Sequence, residues 1–276
     1  LDPLLGAVPL SKLSPKQIQE YYQTMTRTEG LSSNTIRRHH DLLSAALRMA
    51  VRQDMLRVNP MERVEPPRPK LHEASYYTQE NLKVLYQLVE GHWLEMVVKV
   101  TAGLGLRREE ICGLKWESVD FQRRVVHIKE ARTAYGATVV QKETKNRSSM
   151  RTLFMPDELY ELLRREKARQ EQERAIRGGD YAASGHVVLD REGLPYSPNA
   201  LSLAFTRFVR KNHLPRLTLH GLRHTFATIA SAQGVPLFDI GKAMGHSTPA
   251  TTGRIYTHLV DRTHEETLLL VSAALK

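Results

Sequence analysis

Through the first 65 residues, apolar positions recur at helical rather than strand spacing. Ser14 and Pro15 open the first predicted helix, with Ile18, Tyr21, Tyr22 and Met25 on one stripe and Gly30 at its end. Ser32, Ser33 and Asn34 signal the N-cap of a second helix, whose apolar positions are Ile36, Leu42, Leu43, Ala46, Leu47 and Ala50. Its other face presents Arg37, Arg38, His39 and His40, a set that suits either plain solvation or contact with phosphates. Asn59-Pro60 stops helix formation, and the run from Pro66 to Lys70 is stiff, extended and basic.

Helical spacing resumes near Ser75. Thr78 caps a helix through Leu82, Leu85 and Leu88, and a second apolar helix covers Trp93 to Leu104. Short β-prone runs follow at Val125–Ile128, Thr138–Gln141 and Met150–Met155. A long charged helix spans Pro156 to Ile176 before Gly178-Gly179 breaks it, and Val187 to Leu189 could form one more strand. Helices are expected again over Pro198–Lys211, His220–Ala232, Pro236–Met244 and Glu265–Leu275, with a short piece around Tyr256. The pattern predicts a mainly α protein with a small antiparallel sheet. It divides into a helical domain at 1–64, a basic Pro-rich linker at 65–74 and a second domain at 75–276.

Charge narrows the partners. Forty Lys and Arg against thirty Asp and Glu leave a formal charge of +10, which favours a polyanion, nucleic acid ahead of a membrane surface. One cysteine, Cys112, excludes an internal disulfide and suits a reducing, cytoplasmic compartment. No run approaches the ~18 apolar residues of a membrane span. The chain starts at Leu1 inside a fraying element, so a preceding segment is expected.

Candidate chemistry lies in the second domain. On a helix, His220, Arg223 and His224 share a face at i, i+3 and i+4. Two histidines four apart can also chelate zinc, but Gly221 stands where a zincin helix carries its glutamate, and Arg223 would set a fixed positive charge beside the metal. Arg107 follows the glycine-rich Gly103 to Leu106, which lends the backbone freedom, and its planar fork of donors matches two phosphate oxygens. Glu110, one turn later, could orient that guanidinium. The cationic run Lys145 to Arg151 lies between two predicted strands, as a hairpin tip entering a DNA groove or as an ordinary solvated turn. Tyr256 supplies a phenol, a weak nucleophile with a reference pKa of about 10 unless cations surround its electrophile. Two arginines, several histidines and one phenol suit a phosphodiester best, and so the cutting and rejoining of DNA.

These motifs stand in a fixed order: Gly105-Leu106-Arg107-x-x-Glu110, Thr144-Lys145 before a strand, His220-x-Leu222-Arg223-His224, Met244-Gly245-His246-Ser247, and Thr251-Thr252-x-x-x-Tyr256-x-His258. In this order and spacing the chain resembles the tyrosine recombinase family, most closely the integrases of phages and conjugative transposons. The segment Leu31 to Ile36 and Asn59-Pro60 resemble its core-binding, SAM-like domain, so the likeness covers essentially the whole chain. One departure is Phe154, where many relatives carry proline, which should affect local packing.

The resemblance implies a core-binding domain and a catalytic domain that form a clamp around double-stranded DNA at attachment or element-end sites. It implies Arg107 and Arg223 on the scissile phosphate, Lys145 as general acid toward the 5′-oxygen, His220 assisting proton transfer, and His246 on a non-bridging oxygen. Arg147 is the alternative to Lys145, although a guanidinium is a poor proton donor. Glu110 would support, and Tyr256 would be the nucleophile. No cofactor, metal or ATP is needed. A homotetramer would assemble on DNA, each C-terminal tail helix docking on a neighbour through its apolar patch at Leu268 to Leu275, and an accessory directionality factor could join it. Arg37, Arg38, Arg68, Lys70 and Arg147 are the expected further DNA contacts. The function implied is site-specific integration or excision of a mobile element through a Holliday junction, near the bacterial nucleoid. A type IB topoisomerase-like enzyme and a catalytically idle DNA-binding protein on the same scaffold are the alternatives.

Overall fold

The computed structural model describes residues 2–70, 75–136, 138–143, 149–182 and 184–246. The chain divides into two compact units, Leu1–Glu73 and Ala74–Lys276. The expected tail helix and the Tyr256 segment lie outside the described residues.

In the first unit, α1 (Pro15–Arg27) starts at a complete capping box: Ser14 accepts from the Gln17 backbone, and Gln17 accepts from the Ser14 backbone. α2 (Ser33–Arg52) is capped by Ser32. Ile18, Tyr21, Tyr22, Ile36 and Leu47 bury together with Met61 and Val64 from the turn of 3-10 helix that Asn59 caps. Two expectations for α2 change. Leu42 is 58 % exposed, because it lies about 240° around the helix from Ile36. His39 and His40 do not form a free basic face: their Nδ1 atoms share hydrogen bonds with the hydroxyls of Tyr21 (2.7 Å) and Tyr22 (3.1 Å). A buried phenol needs a partner, and these histidines supply it. The run 66–70 is fastened to α2 as well. The Asn34 amide donates to the Lys70 carbonyl and accepts from its N–H, while Arg37 donates to the Pro67 carbonyl.

In the second unit, α4 (Glu95–Leu104) is the central helix, with seven of its residues buried, among them Val97, Val98, Val100 and Leu104. It packs against α3 (Gln79–Val89), α5 (Arg108–Gly113), α6 (Asp157–Arg177) and α8 (Leu219–Ala232). α7 (Pro198–Lys211) and α9 (Leu237–Met244) complete the α-helices among the described residues. Trp93 lies outside α4, stacked on Tyr196 with centroids 4.9 Å apart. Gly105 ends α4 in the left-handed region at φ +61°, and a Cβ there would stand 2.7 Å from the Phe226 ring. The glycine-rich approach to Arg107 is therefore a fixed cap rather than a flexible lead.

Among the described residues the β-structure forms two small antiparallel sheets. β1 (Val119–Asp120), β2 (Val125–Ile128) and β5 (Arg151–Phe154) pair in the order β1-β2-β5, and β3 (Glu130–Tyr135) pairs with β4 (Thr138–Glu143). The expected hairpin around Lys145 is corrected: β4 and β5 flank that segment but belong to different sheets, and the true hairpin is β3–β4. β3 escapes a search for apolar alternation because Glu130, Arg132 and Thr133 interrupt it. Val187 to Leu189 form no regular strand, only a bridge from Leu189 to Pro195. Phe154 is 62 % exposed, so its ring packs little. No helix among the described residues is long and apolar enough to cross a membrane.

Gly221 lies where α8 starts under the Thr218 cap. A Cβ there would meet the Ser75 carbonyl oxygen at 2.8 Å and the Leu217 side chain at 2.6 Å. Backbone cannot step aside as a side-chain end can, so Gly221→Ala is expected to cost about 1–3 kcal/mol of stability. Urea unfolding followed by circular dichroism measures this; an unchanged midpoint would mean that the Ser75 segment yields freely.

Candidate active site

Glu110 is 2 % exposed, on the first turn of α5. Its Oε2 accepts from the Arg107 backbone N–H (2.8 Å), capping the helix, and its Oε1 accepts from Arg107 Nη1 (2.7 Å). Arg151, the first residue of β5, adds a two-pronged pair: Nη1 to Oε1 at 3.0 Å and Nη2 to Oε2 at 2.8 Å. Arg223 Nη1 stands 4.0 Å from Oε2. One carboxylate thus gathers three guanidiniums.

The same arginines reach the C-terminus of α9. Arg151 Nε donates to the Ala243 carbonyl (2.6 Å), Arg223 Nη2 to Met244 (2.7 Å) and Arg107 Nη2 to Gly245 (2.8 Å). The last carbonyls of a helix lack intrahelical donors and carry the negative end of its dipole, so cations suit them. Arg223 Nη1 also donates to the Gly105 carbonyl at 2.6 Å, tying in the end of α4. Arg223 is 1 % exposed, whereas the Arg107 side chain keeps 31 % of its surface open.

His246 follows directly, its backbone N–H bonded to the Gly241 carbonyl. Burial, then Arg223 and Arg107, lowers its pKa to about 4. His224 is buried and is likewise lowered to about 4, by burial, His220 and Arg223. His220 meets the His224 ring edge-on, with centroids 4.7 Å apart. Although His220 is exposed as a residue, the protein mass around its ring, followed by Arg223, lowers its pKa. For Glu110, burial pushes the pKa up, but the Arg151 and Arg107 partners outweigh it and hold the carboxyl below its ordinary value.

Of the residues named from sequence, Arg107, Glu110, Arg223 and His246 converge here, with His220 beside His224. Lys145, Arg147 and Tyr256 lie outside the described residues. Arg38, Arg68 and Lys70 are exposed in the first unit, and Arg37 is half-buried on Pro67. Sequence reasoning missed Arg151. Its signal was the alternation of β5, which sets Arg151 on the same face as Leu153, so that a cation falls where an apolar residue is expected. No group of His, Cys, Asp and Glu able to hold a metal occurs among the described residues.

The neutral histidines make stability depend on pH. Unfolded, each titrates near its ordinary value of 6.5; folded, His224 and His246 titrate near 4. The unfolded chain therefore binds more protons between these values. The stability that this contributes is present above pH 6.5 and is lost as pH falls toward 4. The melting temperature is expected to drop between pH 6.5 and 5, before most carboxylates titrate. His224→Gln with His246→Gln should flatten that slope; an unflattened slope would assign it to other groups.

Residues 75–263 match the model of the phage integrase family, and residues 5–65 match the phage integrase SAM-like domain. A tyrosine recombinase XerC-like protein of Caldanaerobacter subterraneus subsp. tengcongensis is 27 % identical over 94 % of this chain and 70 % of its own length. The ICEBs1 integrase of Bacillus subtilis is 23 % identical over 93 % of this chain and 70 % of its own. Among solved structures, the Tn1549 transposon integrase in complex with transposon right end DNA superposes with a TM-score of 0.80 at 24 % identity, covering 96 % of this chain and 88 % of that one. A lambda integrase dimer bound to a COC′ core site gives 0.62 at 18 % identity, over 90 % and 81 % of the two chains, so both share the fold. The family match spans both compact units and takes in Arg107, Glu110, Arg223 and His246, and the chain belongs to the phage integrase family of tyrosine recombinases.

Proposed function

We propose that this chain is a site-specific recombinase that integrates or excises a mobile element by cutting and rejoining DNA without metal or ATP. The observation that carries the reading is the convergence of Arg107 and Arg223 on Glu110, with His246 close to both arginines, an arrangement suited to cradling one phosphate. In it, the Tyr256 phenolate oxygen attacks the scissile phosphorus and forms a 3′-phosphotyrosyl bond. The P–O5′ bond breaks, and the departing oxygen takes a proton from Lys145. A 5′-hydroxyl of the partner strand then attacks the same phosphorus, releases Tyr256 and reseals the DNA.

Arg107 and Arg223 hold the non-bridging oxygens as charge builds on them. Preorganised donors of this kind contribute roughly 3–4 kcal/mol each to the transition state. Neutral His246 donates a hydrogen bond to one of those oxygens, and His220 assists proton transfer. Four protomers work on two duplexes through a Holliday junction, coupled by the apolar tail. The relatives named for integrases, among them those of ICEBs1 and Tn1549, support the mobile-element reading.

A nicked duplex built from the DNA flanking the encoding gene tests the chemistry. Wild-type protein is expected to accumulate a covalent adduct resistant to denaturant, and Tyr256→Phe to bind equally well with no adduct. Binding should weaken by orders of magnitude between about 50 and 200 mM salt. An adduct trapped with the phenylalanine variant would remove Tyr256 from its role, and supercoil relaxation without two-site exchange would favour the topoisomerase-like reading. Deleting residues 264–276 should weaken the pairing of two duplexes more than binding of one, as native gels can show; unchanged recombination would remove the tail from the assembly.

A further inference from the structure

We propose that Arg151 is a positioning residue for strand cleavage, acting through Glu110 and the end of α9 to fix the phosphate cradle. The inference rests on the recombinase reading above. The Arg151 side chain is 7 % exposed, and its donors engage Glu110 and the end of α9, the groups that also hold Arg107 and Arg223. Its four hydrogen bonds go to protein: two to the Glu110 carboxylate, one to the Ala243 carbonyl and one to the Ser149 carbonyl.

Each contact fixes something that the reaction uses. The fork on Glu110 leaves that carboxylate no freedom to swing, and the same two oxygens hold the Arg107 backbone and guanidinium. The bond to Ala243 sets the first of three consecutive carbonyls, the next two of which hold Arg223 and Arg107. His246 then follows Gly245, which caps α9 in the left-handed region at φ +69°. Arg151 therefore joins a β-strand, the start of α5 and the end of α9 at one point.

The charge balance points the same way. Three guanidiniums around one carboxylate leave a net charge of plus two among them, with the neighbouring histidines neutral. A scissile phosphodiester carries one negative charge and gains a second when the phenolate adds to phosphorus. With Arg151 in place, the cluster matches the five-coordinate phosphorus rather than the resting diester, and complementarity to the transition state is what accelerates a reaction. Lysine keeps the charge but cannot make a two-pronged pair with Glu110 while also reaching Ala243.

Single-turnover cleavage of the nicked duplex by the full chain tests this, with Arg151→Lys, Arg151→Gln, Glu110→Gln and the Glu110→Gln/Arg151→Gln double variant. Arg151→Lys is expected to bind the duplex with unchanged affinity and to cleave about 10²-fold more slowly at saturating DNA, the scale of a misplaced reacting group. Because Arg151 acts through Glu110, the double variant should lose about as much as the worse single variant. Losses that multiply would overturn the coupling, whatever the folded fraction of each variant. A duplex carrying sulfur at the 5′-bridging position, whose thiolate leaves without a proton, should leave the Arg151→Lys deficit intact. Rescue by sulfur would place Arg151 on the leaving-group side and overturn the proposal. A wild-type chain that forms no adduct overturns the recombinase reading itself. A wild-type adduct undiminished in Arg151→Lys overturns only the role of Arg151.

Discussion

A carboxylate that is 2 % exposed would be costly to bury alone, by several kcal/mol even after relaxation. Glu110 is tolerated because Arg107 and Arg151 bond to it and Arg223 stands close by, and these arginines are in turn tolerated because Ala243, Met244 and Gly245 each turn a carbonyl toward one of them. Neither half is stable without the other: the carbonyls need donors, and the guanidiniums need acceptors. This mutual dependence sets where α5, α8, α9 and β5 meet. The candidate site is thus one of the joints that hold the second unit together.

Burial explains most of the histidines' behaviour, and the neighbouring cations add to it. A ring taken out of water disfavours its charged form, and a guanidinium beside it disfavours that form further. Burial first, and then the charge around them, keeps His224 and His246 neutral well into the acid range. The cluster thus combines fixed charge on the arginines with neutral rings beside them.

Much of this was legible in the sequence, for reasons that can be named. Ser14, Ser32 and Thr78 announced helix starts because a hydroxyl before an apolar repeat has few other uses there. Arg107, Glu110, Arg223 and His246 stood in family order, and the fold brings them together. What remained hidden depended on contacts across the chain. His39 and His40 look like a basic surface until Tyr21 and Tyr22 are seen to need partners. The pairing of β5 with β2 across an intervening hairpin has no local signature, and without it Arg151 reads as one more cation in a basic run.

That pairing has a consequence of its own. Ile128 stands opposite Arg151, and Val126 opposite Leu153. A slip of one residue would turn Arg151 out to solvent and bring Thr152 inward, since successive side chains face opposite ways. The ladder with β2, and not the stretch of chain leading into β5, thus decides where this arginine points. Changing the number of residues between β4 and β5 would therefore leave Arg151 turned toward Glu110 as long as the ladder with β2 kept its register.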